Sequence, residues 1–139
     1  MIARIRTTIN FNIFEADLVT PFTSYDWGDY GAGSNNITRY LKTLSNDKAV
    51  IFWNITTPGW TLIDDPTIGQ YYTDGKFNVS IHRDHYLPNS QREYVWSPNY
   101  PVTYEPGWKS DIIFRCWTSE FLACSDSWSI TFYGHEYVA

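Results

Sequence analysis

The chain has 139 residues, a net charge of −5 and 19% aromatic residues, with seven Trp and eleven Tyr against a single Met. This length suffices for one domain with a buried core, while the negative charge argues against nucleic acid and against anionic membranes, which need clustered Lys and Arg. No apolar run is long enough to span a bilayer.

The opening run alternates in polarity. Ile5, Thr7, Ile9, Phe11 and Ile13 fall on one face, with Arg4, Arg6, Thr8, Asn10 and Asn12 on the other, which predicts a strand with one buried side. No continuous apolar segment follows the two arginines, so this start does not read as a classical signal peptide. A cytoplasmic store or a non-classical route of secretion is therefore expected. Residues 13–19 (IFEADLV) and 37–45 (ITRYLKTLS) are candidates for a turn or two of helix. Between them, FTSYDWGDYGAGSNNITRY (22–40) sets aromatics among Gly28, Gly31, Gly33 and the Asn35-Asn36 pair. Gly and Asn tolerate left-handed turns, so much of this stretch is expected to be loop.

AVIFWNI (49–55) is a strand candidate, apolar on both faces at its start, and shorter candidates lie at 60–63, 68–72 and 93–96. Phe77, Val79 and Ile81 alternate with Asn78, Ser80 and His82; Ile112, Phe114 and Cys116 with Ile113, Arg115 and Trp117; Trp128, Ile130 and Phe132 with Ser129, Thr131 and Tyr133. Pro58-Gly59, Asp64-Asp65-Pro66, Asp74-Gly75 and Pro106-Gly107 punctuate these runs as turns. Residues 87–108, where prolines alternate with Tyr and Trp, read as a long loop or irregular edge. Many short strands with few helices predict a single all-β domain over 1–139, an antiparallel sandwich or barrel.

Cys116 and Cys124 fit either one short-loop disulfide or two buried thiols. Asn36, Asn54 and Asn78 begin glycosylation sequons, the latter two inside strand-like runs, where a chance match is the simpler reading.

Catalytic signatures are weak. In His82-Arg83-Asp84-His85 the two imidazoles would point to opposite faces of a strand and not converge on one metal. There is no G-x-S-x-G turn, and DYGAG lacks the lysine of a phosphate loop. Cys116, Cys124 and His135 read more simply as buried or paired groups than as a thiol catalyst. Asp64, Asp65, Asp74, Glu93 and Glu105 lie at turns or exposed-looking positions, where acids are expected without a glycosidase role. The reading is of a non-enzyme without cofactor or metal. Binding fits better, because sugar rings stack on Trp or Tyr while their hydroxyls bond to small polar residues. Two stretches have that make-up. The first is 24–36 (SYDWGDYGAGSNN), with Trp27 and Tyr30; the second is 95–108 (VWSPNYPVTYEPGW), with Trp96, Tyr104 and Trp108. The competing role for each aromatic is to plug an end of the sandwich.

Trp27-Gly28, Asn35-Asn36-Ile37, Leu44 and Asp47-Lys48-Ala49, followed by Thr73-Asp74-Gly75-Lys76-Phe77-Asn78-Val79, resemble the fungal immunomodulatory proteins over about the first three-fifths of the chain. The resemblance implies an immunoglobulin-like sandwich of the fibronectin type III kind, with a short N-terminal strand and helix. It implies that residues 1–30 contribute to a homodimer, and that glycans or cell-surface glycoproteins are bound near Trp27, Thr38 and Asp47. This chain departs from the family in extra material around 86–110 and in Ile37, which stands at or beside a family acid. The leading reading is a lectin-like immunomodulatory or defence protein. The alternatives are a small membrane-active, pore-forming sandwich toxin that places Tyr and Trp at lipid headgroups, a small enzyme using the His82 region, and a partner-binding module.

Overall fold

A computed structural model describes residues 2–6, 11–27, 33–44, 48–84, 93–118 and 127–137. Among these residues there is no helix. The strands are β1 (Ile2–Arg6), β2 (Phe11–Phe14), β3 (Ser24–Asp26), β4 (Gly33–Thr43), β5 (Ala49–Ile55), β6 (Thr61–Asp65), β7 (Gly69–Thr73), β8 (Asn78–Asp84), β9 (Glu93–Val95), β10 (Val102–Tyr104), β11 (Lys109–Thr118) and β12 (Ser127–Glu136). They form two sheets packed together, a β-sandwich. One sheet runs β10-β5-β12-β1-β3 and the other β2-β4-β11-β8-β7-β6, with β9 beside the second half of β8. Every pairing is antiparallel except β1 with β12.

The period-two runs carry the core. Phe77, Val79 and Ile81 of the β8 run, Ile112, Phe114 and Cys116 of β11, and Trp128, Ile130 and Phe132 of β12 are all buried, as are Ile51, Trp53 and Ile55 of β5. Their alternate residues face outward, where Phe52 and Tyr133 stack at 4.9 Å across the β5–β12 pair. Each sheet thus buries one apolar face against the other, the source of stability in a sandwich.

Three expectations change. The opening alternation is not one strand: β1 pairs with β12 and β3 in one sheet, while β2 pairs with β4 in the other. Alternation reports which side is buried but not which sheet buries it. The candidate turns of helix at 13–19 and 37–45 do not form among the described residues. Residues 37–43 belong to β4, held by an unbroken register with β11 from Lys42↔Lys109 to Gly33↔Thr118. Long-range pairing of that extent overrides the local helical tendency. Beyond β2, the Asp17 carboxylate accepts from the Val19 and Thr20 amides at 2.9 and 2.8 Å and from the Thr20 hydroxyl. Leu18 takes a positive φ of 60°, and Phe22 N donates to Ile13 O at 2.7 Å. Asp17 therefore makes a turn where helix was expected. The Thr20 hydroxyl, then the Val19 and Thr20 amides, hold its carboxyl below the usual value. Of the stretch expected as glycine-rich loop, Ser24–Asp26 and Gly33 onward are strand, while residues 28–32 lie outside the described residues. As for dimerisation, β1 lies between β12 and β3, so both its edges are taken within the chain.

Candidate ligand site

Three turns share one construction. In Thr57-Pro58-Gly59-Trp60, Ser97-Pro98-Asn99-Tyr100 and Glu105-Pro106-Gly107-Trp108, the fourth residue's amide donates to the first residue's carbonyl at 3.2, 3.2 and 3.1 Å. The third residue has positive φ: 88° at Gly59, 62° at Asn99 and 75° at Gly107. Proline at the second place and Gly or Asn at the third are what a type II turn requires. Each turn delivers an aromatic at its fourth place. The 97–100 turn is the most firmly anchored. Trp53 Nε1 donates to Trp96 O at 2.8 Å, Asn99 N to Trp53 O at 2.8 Å, and Asn54 Nδ2 to Asn99 Oδ1 at 3.1 Å. Trp96 N donates to Ile81 O at 2.8 Å, and Trp96 Nε1 to Tyr100 O at 2.9 Å. Both main-chain polar atoms of Tyr100 are thereby engaged, yet the residue is 63% exposed. Its ring is what the turn offers to solvent.

Beside this turn lies a cavity of about 170 Å³ lined by Arg83, Val95, Trp96, Ser97, Tyr100 and Val102. Arg83 continues the face of Phe77, Val79 and Ile81 and is paired with the buried Ile112. A charge thus stands where the alternation calls for a core residue. Its guanidinium carbon is 5.8 Å from the ring centres of both Trp96 and Tyr104, within cation–π range. The ion pairs between residues whose side chains are described, Arg39 with Glu15 and Lys48 with Glu105, do not include it. Tyr104 donates to or accepts from Ser110 Oγ at 2.6 Å. Burial pushes its phenol above the usual value, against the opposing pull of Arg83. It stays neutral beside Arg83.

Neither a protein-family model nor a curated protein matches this chain.

The residues singled out in the sequence separate into distinct groups. Trp96 and Tyr104 are corrected: they are 3% and 1% exposed and present no open face for stacking, Trp96 lining the Arg83 cavity and Tyr104 packing on the Arg83 guanidinium. Trp96 packs on Phe132 at 5.9 Å, and Tyr104 meets Trp108 edge-on at 6.3 Å. The reason is that β9, in the strand candidate at 93–96, and β10, where loop was expected, carry this stretch into the sheets. Trp108 is half-buried, fixed by Thr43, whose amide and hydroxyl donate to Trp108 O at 3.0 and 3.3 Å. Trp27 is also half-buried, packed on the core and edge-on to Tyr25 at 5.0 Å. Thr38 is exposed on β4. Tyr30 and Asp47 lie outside the described residues, as does Cys124, while Cys116 is buried in the middle of β11. His82 is buried on the face opposite Arg83, with Nε2 3.1 Å from Ser80 Oγ; His85 lies outside the described residues.

A second concavity, about 150 Å³, sits at the other end of the sandwich between Thr57, Ser127, Trp128 and Ser129. Trp60 packs on Trp128 there at 5.2 Å, and Thr57 Oγ1 accepts from Ser129 N at 2.9 Å. Its lining is mostly hydroxyl and its aromatic is 2% exposed, so it lacks the offered ring of the first. Arg83 and Tyr100 are the residues that sequence reasoning passed over. The signals were present: a charge ending an apolar period-two face, and a Pro-Asn-aromatic turn.

Proposed function

We propose that this chain is a carbohydrate-binding, lectin-like protein whose sugar site is the Tyr100 end of the sandwich. The observation that carries the reading is the exposed Tyr100 ring, held on a turn anchored to β5 and β8 beside a cavity with polar groups at Ser97 and Arg83. Sugar recognition needs an apolar ring face at low entropic cost and a few fixed hydrogen-bonding groups next to it. A rigid turn supplies the first, and the cavity supplies the second. The resemblance of residues 27–79 to the fungal immunomodulatory proteins supports the carbohydrate-binding part of this reading, though not its placement at Tyr100, with cell-surface glycoproteins as partners and homodimerisation as a further part of the proposal.

A glycan array probed with the purified protein and with Tyr100→Ala tests it. The expected result is selective binding to one sugar class by the parent protein and loss of that binding in the variant, with the thermal unfolding midpoint unchanged. A blank array, or full binding by Tyr100→Ala, would overturn the assignment.

A further inference from the structure

We infer that the Tyr100 site takes an acidic sugar, and that Arg83 receives the sugar's oxyanion, a carboxylate or a sulfate. This rests on the carbohydrate reading above and adds to it the class of ligand. Three observations converge on it. Arg83 lies on the core-facing side of β8, in register with buried Ile112, where an apolar residue continues the pattern of Phe77, Val79 and Ile81. Its head rests over Trp96 and Tyr104, rings that attract a cation but cannot neutralise it. Among the residues whose side chains are described, no carboxylate pairs with it, although the chain carries fifteen Asp and Glu against ten Lys and Arg. A partly desolvated charge is costly unless it is paired. Arginine's planar fork matches a carboxylate or sulfate through two parallel N–H···O bonds. The cavity onto which Arg83 opens, with Val95, Val102 and Trp96 as apolar walls, has room for one such group at about 170 Å³.

The overall charge narrows the class. A net charge of −5 repels a polyanion along its whole length, so the fitting ligand is a single acidic unit on an otherwise neutral glycan. In that arrangement the neutral part of the ring lies against Tyr100 at the mouth while the oxyanion reaches Arg83. The main-chain anchoring of the 97–100 turn keeps these two contacts at a fixed separation.

The test is a titration of ¹⁵N-labelled protein with glucuronate, glucose 6-sulfate, glucose and inorganic sulfate, following the Trp96 indole N–H resonance. Glucuronate or glucose 6-sulfate is expected to bind on the order of tenfold more tightly than glucose, the scale of a charged hydrogen-bonded contact. Arg83→Gln should reduce the acidic sugar to the level of glucose. Arg83→Lys, which keeps the charge and loses the fork, should fall between; it also serves if Arg83→Gln does not fold. Equal binding of acidic and neutral sugars, or an acidic preference that survives Arg83→Gln, would overturn the inference while leaving the carbohydrate reading in place. Absence of binding by every sugar would remove both. Inorganic sulfate binding as tightly as the acidic sugars would also sink the inference, since the sugar ring would then contribute nothing.

Discussion

The indole N–H of Trp53 donates to the backbone oxygen of Trp96 at 2.8 Å, across 43 residues of chain. In return, Trp53's own carbonyl accepts from the Asn99 amide at 2.8 Å. One core residue of β5 thus holds the turn that presents Tyr100 twice, at Trp96 just before it and at its third residue, Asn99. Trp53→Phe keeps most of the buried ring but leaves the Trp96 carbonyl without its donor. A buried orphan of this kind costs about 1–3 kcal/mol. Urea unfolding should show that loss, and sugar affinity should fall with it; a variant as stable as the parent would mean the hydrogen bond is not structural.

Gly69 and Gly75 separate a backbone effect from a packing effect. Both have φ of +96°, but a Cβ on Gly75 meets open space, while one on Gly69 lies 3.1 Å from Val95 Cγ1. Gly75→Ala should cost about 1 kcal/mol for the left-handed conformation alone. Gly69→Ala should cost more and, because Val95 lines the Arg83 cavity, should also weaken ligand binding. Equal denaturation midpoints for the two variants would contradict this.

Cys116 gives a pH prediction. Burial first, then the charge of Asp74, pushes its thiol up to about 12. The folded value lies above the unfolded one of roughly 8.5, so the folded state binds the extra proton. This contribution is fully present below the unfolded value and is lost as pH rises toward 12. Stability should therefore decline above about pH 9, with Tyr104, raised in the same direction by burial, adding to the decline at higher pH. Cys116→Ser, compared with the parent by urea unfolding at pH 7 and pH 10, should flatten the slope. In the native protein Cys116 should resist alkylation at pH 8, which mass spectrometry of the modified protein reads directly.

Trp27 tests which role the half-buried indole has. It packs on the core and on Tyr25, so Trp27→Ala should destabilise the protein by about 2–4 kcal/mol, toward the lower end of large aromatic deletions because the site is only partly buried. Trp27→Phe should recover much of that. Glycan binding at the Tyr100 end should persist in Trp27→Phe. Complete loss of binding by a folded Trp27→Phe protein would move the sugar site to this segment.

Much of the architecture could be read from alternation alone. Phe77, Val79, Ile81, Ile112, Phe114, Ile130 and Phe132 are core residues because a strand places every second side chain on one face. The Asp74-Gly75 turn and the strand after it also stand where composition put them, with the Asp74 carboxylate accepting from the Lys76 and Phe77 amides at 2.9 and 2.8 Å. The candidate site was legible in part. The stretch 95–108 was singled out for its aromatics, but composition could not separate Tyr100, which is exposed, from Trp96 and Tyr104, which are not.

By itself, then, the sequence determined the all-β class, the buried faces of β5, β8, β11 and β12 and the turns at Pro58-Gly59, Asp64-Asp65-Pro66, Asp74-Gly75 and Pro106-Gly107, because these depend on local geometry and on the period of hydrophobicity. Only the tertiary structure decided which sheet each strand joins, that residues 37–43 pair with β11 where helix was expected, and that Arg83 meets Trp96 and Tyr104. Those outcomes depend on pairings between segments far apart in the chain, and a period-two pattern carries no record of its partner.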